Sequence, residues 1–343
     1  MASSRISARL PPNIDQTKAP LAYGDRALPK LNRELKDPEL ITRQRALMTL
    51  CDYLHDPEHI VEALRVGVVA SLKALLTDPD GTVRNKTTEV LYIISGHNSG
   101  RDAFMDESII VPLSRLFDDD LYIVRKNAHM AIEMLCEFYP GAEGLVEASL
   151  IPTLVDKLKI EVDEIKEYIL DTLHFCMRLE QIQALIAGAM EVFTELLEHK
   201  SPVIRARAAR DIMDLSVPLD GKKKACECNS LAFLVKLLSD DDTDVRAKAS
   251  GAIATITITT EGKQKALRAD AIPQLVTLVN DPTSEVRLNA IKAITTLSEA
   301  PQARTALLKH VENIEKRAHE ENEPTEAVRG AAKIAVRVIT WKP

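Results

Sequence analysis

The stretch DPDGTVRNKTTEVL, residues 78–91, returns in altered form as DDDTDVRAKASGAI at 240–253 and as DPTSEVRLNAIKAI at 281–294. Its basic residue can be followed along the chain as Arg43, Arg84, Arg125, Lys166, Arg205, Arg246, Arg287 and Arg329. The successive spacings are 41, 41, 41, 39, 41, 41 and 42 residues. Such small drift over seven steps is the mark of a tandem repeat, and a repeat of this length is one supersecondary unit that buries its apolar face only against its neighbours.

Each unit carries the signals of three helices. Glycine or proline stands in an opening turn, as at Gly67, Gly100, Gly144, Gly221 and Gly262. A second helix then begins with an aliphatic residue and proline, as in Leu28-Pro29, Val111-Pro112, Ile151-Pro152 and Ile272-Pro273. Proline suits a first helical turn because its missing N–H has no intrahelical partner there. Leu275, Val276, Leu278 and Val279 keep a helical apolar face, and the helix stops at acid-proline pairs such as Asp37-Pro38, Asp78-Pro79 and Asp281-Pro282. The third helix holds the Val-Arg phrase and a seam of small residues, Ala247, Ala249 and Ala252. A short helix, a second helix and a long third helix at this period resemble armadillo repeats more than paired HEAT helices. The expected fold is all-α: an armadillo/HEAT-like, right-handed superhelical solenoid of about eight repeats over 28–343, preceded by an extended arm, 1–27.

An acid stands six positions before the basic marker in six units: Asp37, Asp78, Asp119, Asp240, Asp281 and Glu323. Cation and carboxylate flank the turn between helices, so the repeating cations read as a structural ladder rather than a ligand-binding one. Ile160 and His199 break the rule where the spacing shortens to 39. An irregular joint is expected near 160–205.

Armadillo proteins that clamp extended peptides, of the importin-α and β-catenin types, place asparagines along the third helix, and importins add tryptophans four residues earlier. Nine residues past each marker this chain has Asp52, Ile93, Met134, Phe175, Asp214, Thr255, Thr296 and Val338. Four residues earlier stand Met48, Glu89, Met130, Asp171, Arg210, Gly251, Lys292 and Ile334. With neither amides nor indoles there, capture of a peptide backbone loses its mechanism. The same register places Met48, Ile93, Met130, Met134 and Phe175 on the concave face of the first half, an apolar surface of the kind that marks an interface. The second half reads as polar, with Arg210, Asp214, Thr255, Lys292 and Thr296.

Composition narrows the remaining classes. Of 343 residues, 45% are hydrophobic and 28% charged, so the chain folds rather than staying disordered. The net charge of −7, with both signs interspersed, lacks the basic footprint of a nucleic-acid binder. No apolar run is long enough to span a membrane, and no signal-peptide pattern opens the chain. Five scattered cysteines suit a reducing compartment, so a soluble intracellular protein is expected. Gly221-Lys222-Lys223-Lys224 lacks the upstream glycine and following hydroxyl of a phosphate loop. Cys226-Glu227-Cys228 has no second pair, and His55 and His59 have no third ligand nearby in sequence. Asn85-Lys86-Thr87 matches a glycosylation sequon but falls within a repeat helix. No catalytic residue, metal site, cofactor or small-molecule substrate is expected.

The arm holds Arg9, Pro11 and Pro12, residues suited to an extended strap on a partner. Its phrases SRISARLPPNID, APLAYG and RALPKLNREL resemble the radial spoke head 14 family. So do TRQRALMTLCD, KTTEVL, EYILDTL, RLNAIKAITTLSEAPQAR and the ending VITWKP. The resemblance implies a non-enzymatic armadillo-repeat component of radial spokes in the axoneme of motile cilia and sperm flagella. It further implies residence in the cytoplasm and cytoskeleton, and other radial spoke proteins as partners in a large complex. Without it, the residues point to an intracellular armadillo scaffold. The alternative is a cytosolic adaptor that takes a peptide or protein cargo in its concave groove.

Overall fold

A computed structural model describes residues 27–342. Every regular element among them is helical. The helices gather into two compact units that divide between Leu135 and Cys136.

In the first unit, Ala27–Glu34 leads to a third helix, Leu40–Tyr53. Pro57–Arg65, Val68–Leu75 and Gly81–Ser95 form the next repeat. Asn98–Asp106, Ile110–Ser114 with one 3-10 turn, and Tyr122–Cys136 form the third. Leu47, Leu50, Leu72, Leu91, Phe104 and Phe117 lie fully buried at the centre of this unit.

The second unit repeats the plan, with third helices Asp163–Met177, Pro202–Leu215, Thr243–Ile256, Ser284–Leu297 and Glu326–Ile339. The aliphatic residue just before the basic marker is buried in each: Ile165, Ile204, Val245, Val286 and Val328. Ala247, Ala249 and Ala252 are buried as well, so the small-residue seam is where neighbouring helices close on one another.

Two backbone devices recur with the repeat. A residue in the left-handed region joins the first helix to the second: Gly67, Ser108, Ser149, Gly188, Asn229 and Asp270, with φ between 52° and 78°. Glycine and, less well, asparagine or aspartate take this conformation readily, whereas serine takes it at a cost. The glycines near the start of the first helices serve a different end. A Cβ on Gly100, Gly221 or Gly262 would collide with the carbonyl oxygen of Ile94, Leu215 or Ile256, at the end of the preceding third helix. Missing side chains thus let the chain double back tightly from these three third helices.

The region between Ile160 and Arg205 departs from the pattern. Its first helix is only Ile182–Ile186, five residues against nine in Leu219–Glu227 and in Thr260–Arg268. Ile160, Ile182 and Ile186 are strongly exposed.

Candidate functional site: charged ladder, groove and joint

The basic markers sit where each third helix begins, and the guanidinium groups of the arginines do two things. One nitrogen turns back: Nη1 of Arg246 donates to the carbonyls of Asp240 (2.8 Å) and Asp241 (3.0 Å), closing the turn before its own helix. Arg43, Arg84, Arg205, Arg287 and Arg329 make the same pair of bonds, and Arg125 donates to Asp119 O. The other edge reaches forward to the acid of the next repeat. Arg43 meets Asp78 at 3.0 Å, Arg84 meets Asp119 at 2.5 Å and Arg205 meets Asp240 at 2.9 Å. Arg246 meets Asp281 at 2.9 Å and Arg287 meets Glu323 at 2.6 Å.

The acids are doubly engaged. Oδ1 of Asp78, Asp119, Asp240 and Asp281 also accepts the N–H two residues on, as Oε1 of Glu323 does from Thr325. This local turn holds the carboxylate ready for the arginine. Burial alone would push the Asp119, Asp240 and Glu323 carboxyls up. The facing arginine and the turn N–H outweigh it and hold all three below the usual carboxylate range.

At the short joint the rung is rebuilt differently. His199 occupies the acid position, and its Nδ1 accepts the Ser201 N–H at 3.1 Å, reproducing the turn with an imidazole. Asp163, three residues before Lys166, receives His199 Nε2 at 3.3 Å and Lys200 Nζ at 3.1 Å. Acid and base have exchanged sides.

Of the proposed partner-facing residues, Arg9, Pro11 and Pro12 lie outside the described residues. Met48 is exposed, and Ile93, Met130, Met134 and Phe175 are half-buried. Their neighbours Leu47, Ile94, Ala131, Leu135 and Cys176 are buried, so the five side chains stand off the core.

The second half is not simply polar. A groove of about 650 Å³ opens on its third helices, lined by Met213, Gly251, Ala254, Ile258, Leu288, Ala327, Ala331 and Ile334 together with Thr255, Asn289, Lys292 and Thr296. Two positions per helix were too sparse a sample to reveal it. The small residues that open it, Gly251, Ala254, Ala327 and Gly330, read in sequence as helix-packing positions. Asn289 is already engaged, its Nδ2 donating to Ala247 O at 3.0 Å. Among the described residues, Lys292 is the one formal charge in the lining.

Beside the joint, the third helices Asp163–Met177 and Pro202–Leu215 carry a charged network. Arg207 reaches Glu167 at 2.5 Å and Asp171 at 2.8 Å. Arg210 reaches Asp171 at 2.8 Å and Asp211 at 3.0 Å. His174 Nδ1 lies 2.6 Å from Asp214 Oδ2.

The motifs set aside in sequence have structural employment. Lys222 lies on the helix Leu219–Glu227, and its Nζ donates to Val217 O in the preceding turn at 2.5 Å. His59 stacks on Tyr53 and engages its carbonyl at 2.9 Å. Asn85 Oδ1 accepts from Asn127 at 3.1 Å. Burial pushes the Cys226 thiol up to about 11 and Cys51 to about 12, far from reactive thiolates.

Residues 231–319 match the HEAT repeat family. An engineered protein solved by the Northeast Structural Genomics Consortium is 22% identical, with a TM-score of 0.84 over 91% of this chain and 78% of that one. A designed armadillo repeat protein, YIII(Dq)4CqI, is 25% identical, with a TM-score of 0.45 over 79% of this chain and 99% of that one. Three-helix repeats at a 41-residue period, a HEAT match over two of them and likeness to a solved fold make the chain an all-α helical repeat protein.

Proposed function

We propose that this chain is a non-enzymatic scaffold of axonemal radial spokes in motile cilia and sperm flagella, holding a protein partner along its third helices. The groove of about 650 Å³ carries the scaffold part of that reading, because it presents aliphatic and small side chains where a docked helix or strand would bury them. At ~25 cal/mol per Å² of apolar area covered, a partner gains several kcal/mol by occupying a surface of that kind. The resemblance of the N-terminal phrases and of the repeat phrases to the radial spoke head 14 family supports the finer assignment. Met48, Ile93, Met130 and Met134 offer a second docking surface in the first unit, since methionine repacks easily against an irregular partner.

The test is substitution followed by fractionation of axonemes. Ile258→Glu, at an exposed position in the groove, is expected to leave the purified protein folded and to lower its recovery in spoke-sized particles. Met134→Glu tests the second surface in the same way. Recovery of the unaltered protein only in the cytosolic fraction, bound to a short peptide cargo, would replace the spoke reading with the adaptor one.

A further inference from the structure

We propose that His174, Asp211 and Asp214 form a binding site for one divalent transition-metal ion, with zinc as the fitting chemistry. One ligand atom from each of the three residues lies within 4.8 Å of the others. Bonds of about 2.0–2.2 Å to zinc leave tetrahedral ligand pairs about 3–3.5 Å apart, a spacing that small side-chain rotations reach from here.

Two further observations point to a cation rather than to an incidental acidic cluster. Asp211 is wholly buried, and its Oδ2 has no hydrogen-bond partner, although its Oδ1 accepts from Arg210. A buried carboxylate oxygen left so is costly unless something occupies its lone pairs. The network is also short of positive charge. Glu167, Asp171, Asp211 and Asp214 are four carboxylates, and Arg207 and Arg210 are two guanidinium groups. One dication supplies the difference. Burial pushes the Asp211 carboxyl well above its usual range. Arg210 opposes that shift and Asp214 adds to it. An imidazole with two carboxylates suits zinc or a neighbouring transition metal better than magnesium, which keeps an all-oxygen shell.

The location gives the ion a structural task. His174 lies on Asp163–Met177, and Asp211 and Asp214 on Pro202–Leu215, so the metal would staple the two third helices on either side of the joint that lacks the standard arginine-acid rung. Sequence inspection misses the trio because His174 stands 37 and 40 residues before Asp211 and Asp214, in the preceding repeat.

The experiment is zinc titration of the chelator-stripped full-length chain, followed by calorimetry and by thermal melting, with magnesium as the hard-cation control. One saturable equivalent of zinc and a raised melting temperature are expected, with no response to magnesium. His174→Gln and Asp214→Asn should each weaken binding at least ~100-fold, the upper end of what even an outer-shell partner costs. Cys228→Ser and His55→Gln should change nothing. Asp211→Asn should abolish binding and yet raise the stability of the metal-free protein, which loss of a merely structural aspartate would not do. If His174→Gln fails to fold, the Asp211→Asn pair of readouts decides alone. Absence of a saturable zinc equivalent, zinc binding unchanged in His174→Gln and Asp214→Asn, or equal binding of magnesium would each overturn the proposal.

Discussion

Arginine at the ladder positions cannot be exchanged for lysine without loss, because one planar group serves two carbonyls and a carboxylate at once. Arg287 and Glu323 form a buried pair, with side-chain exposures of 9% and 0%. Arg287→Met is expected to cost roughly 3–5 kcal/mol in urea unfolding, since it strands a buried carboxylate and two carbonyls. Arg287→Lys should recover only part of that. The depressed carboxyls set the acid limb of stability. Asp119, Asp240 and Glu323 contribute stability that is fully present above the ordinary carboxylate pKa of about 4 and is lost as pH falls through their lowered folded values. Urea midpoints measured from pH 6 to pH 2 should fall steeply in the parent chain and less steeply in Arg205→Met. Asp211 runs the other way. Its raised folded value makes its contribution greatest below pH 4 and lost as pH rises, so Asp211→Asn should gain most near neutrality.

Helix by helix, two kinds of small residue act with opposite sign. Gly221→Ala would gain ~1 kcal/mol by helix propensity alone. The Leu215 carbonyl occupies the place of the new methyl, so the substitution is expected instead to destabilise by about 1–3 kcal/mol in thermal or urea melts. Ser149, with φ of 56°, is the reverse case: Ser149→Gly relieves a left-handed conformation and should stabilise by ~1 kcal/mol. The five-residue helix Ile182–Ile186, with its two exposed isoleucines, should lose amide protection well before Thr243–Ile256 in native-state hydrogen exchange. The regular repeats were legible in sequence because valine, arginine and acid each have one task and recur in step. Of their left-handed joints only Gly67 and Gly188 carry glycine, and serine, asparagine and aspartate in the equivalent places carry no single conformational meaning. The groove escaped notice because alanine and glycine announce packing equally well.

Taken along its length, the chain draws its stability from neighbour-to-neighbour contacts, so denaturation should not be two-state. Far-ultraviolet and tryptophan-fluorescence transitions in urea are expected not to coincide, because Trp341 reports only on the last repeat, where it lies 5.3 Å from Arg304. Repeat identity came from the period, while the assembly proposed for the chain rests on phrase resemblance. No spacing of arginines specifies a partner.

The two-way use of each arginine has a consequence for how such a chain can grow. Every regular repeat brings a socket, its turn-held acid, and a plug, its arginine, separated from the next socket by 35 residues, or by 36 at the last rung. A copy of the segment between one plug and the next can therefore be inserted or removed with every rung still matched. The joint at Lys166 and His199, where acid and base trade sides, is a place where interchangeable parts give way to a custom fitting, and a duplication whose border fell there would leave both mismatched.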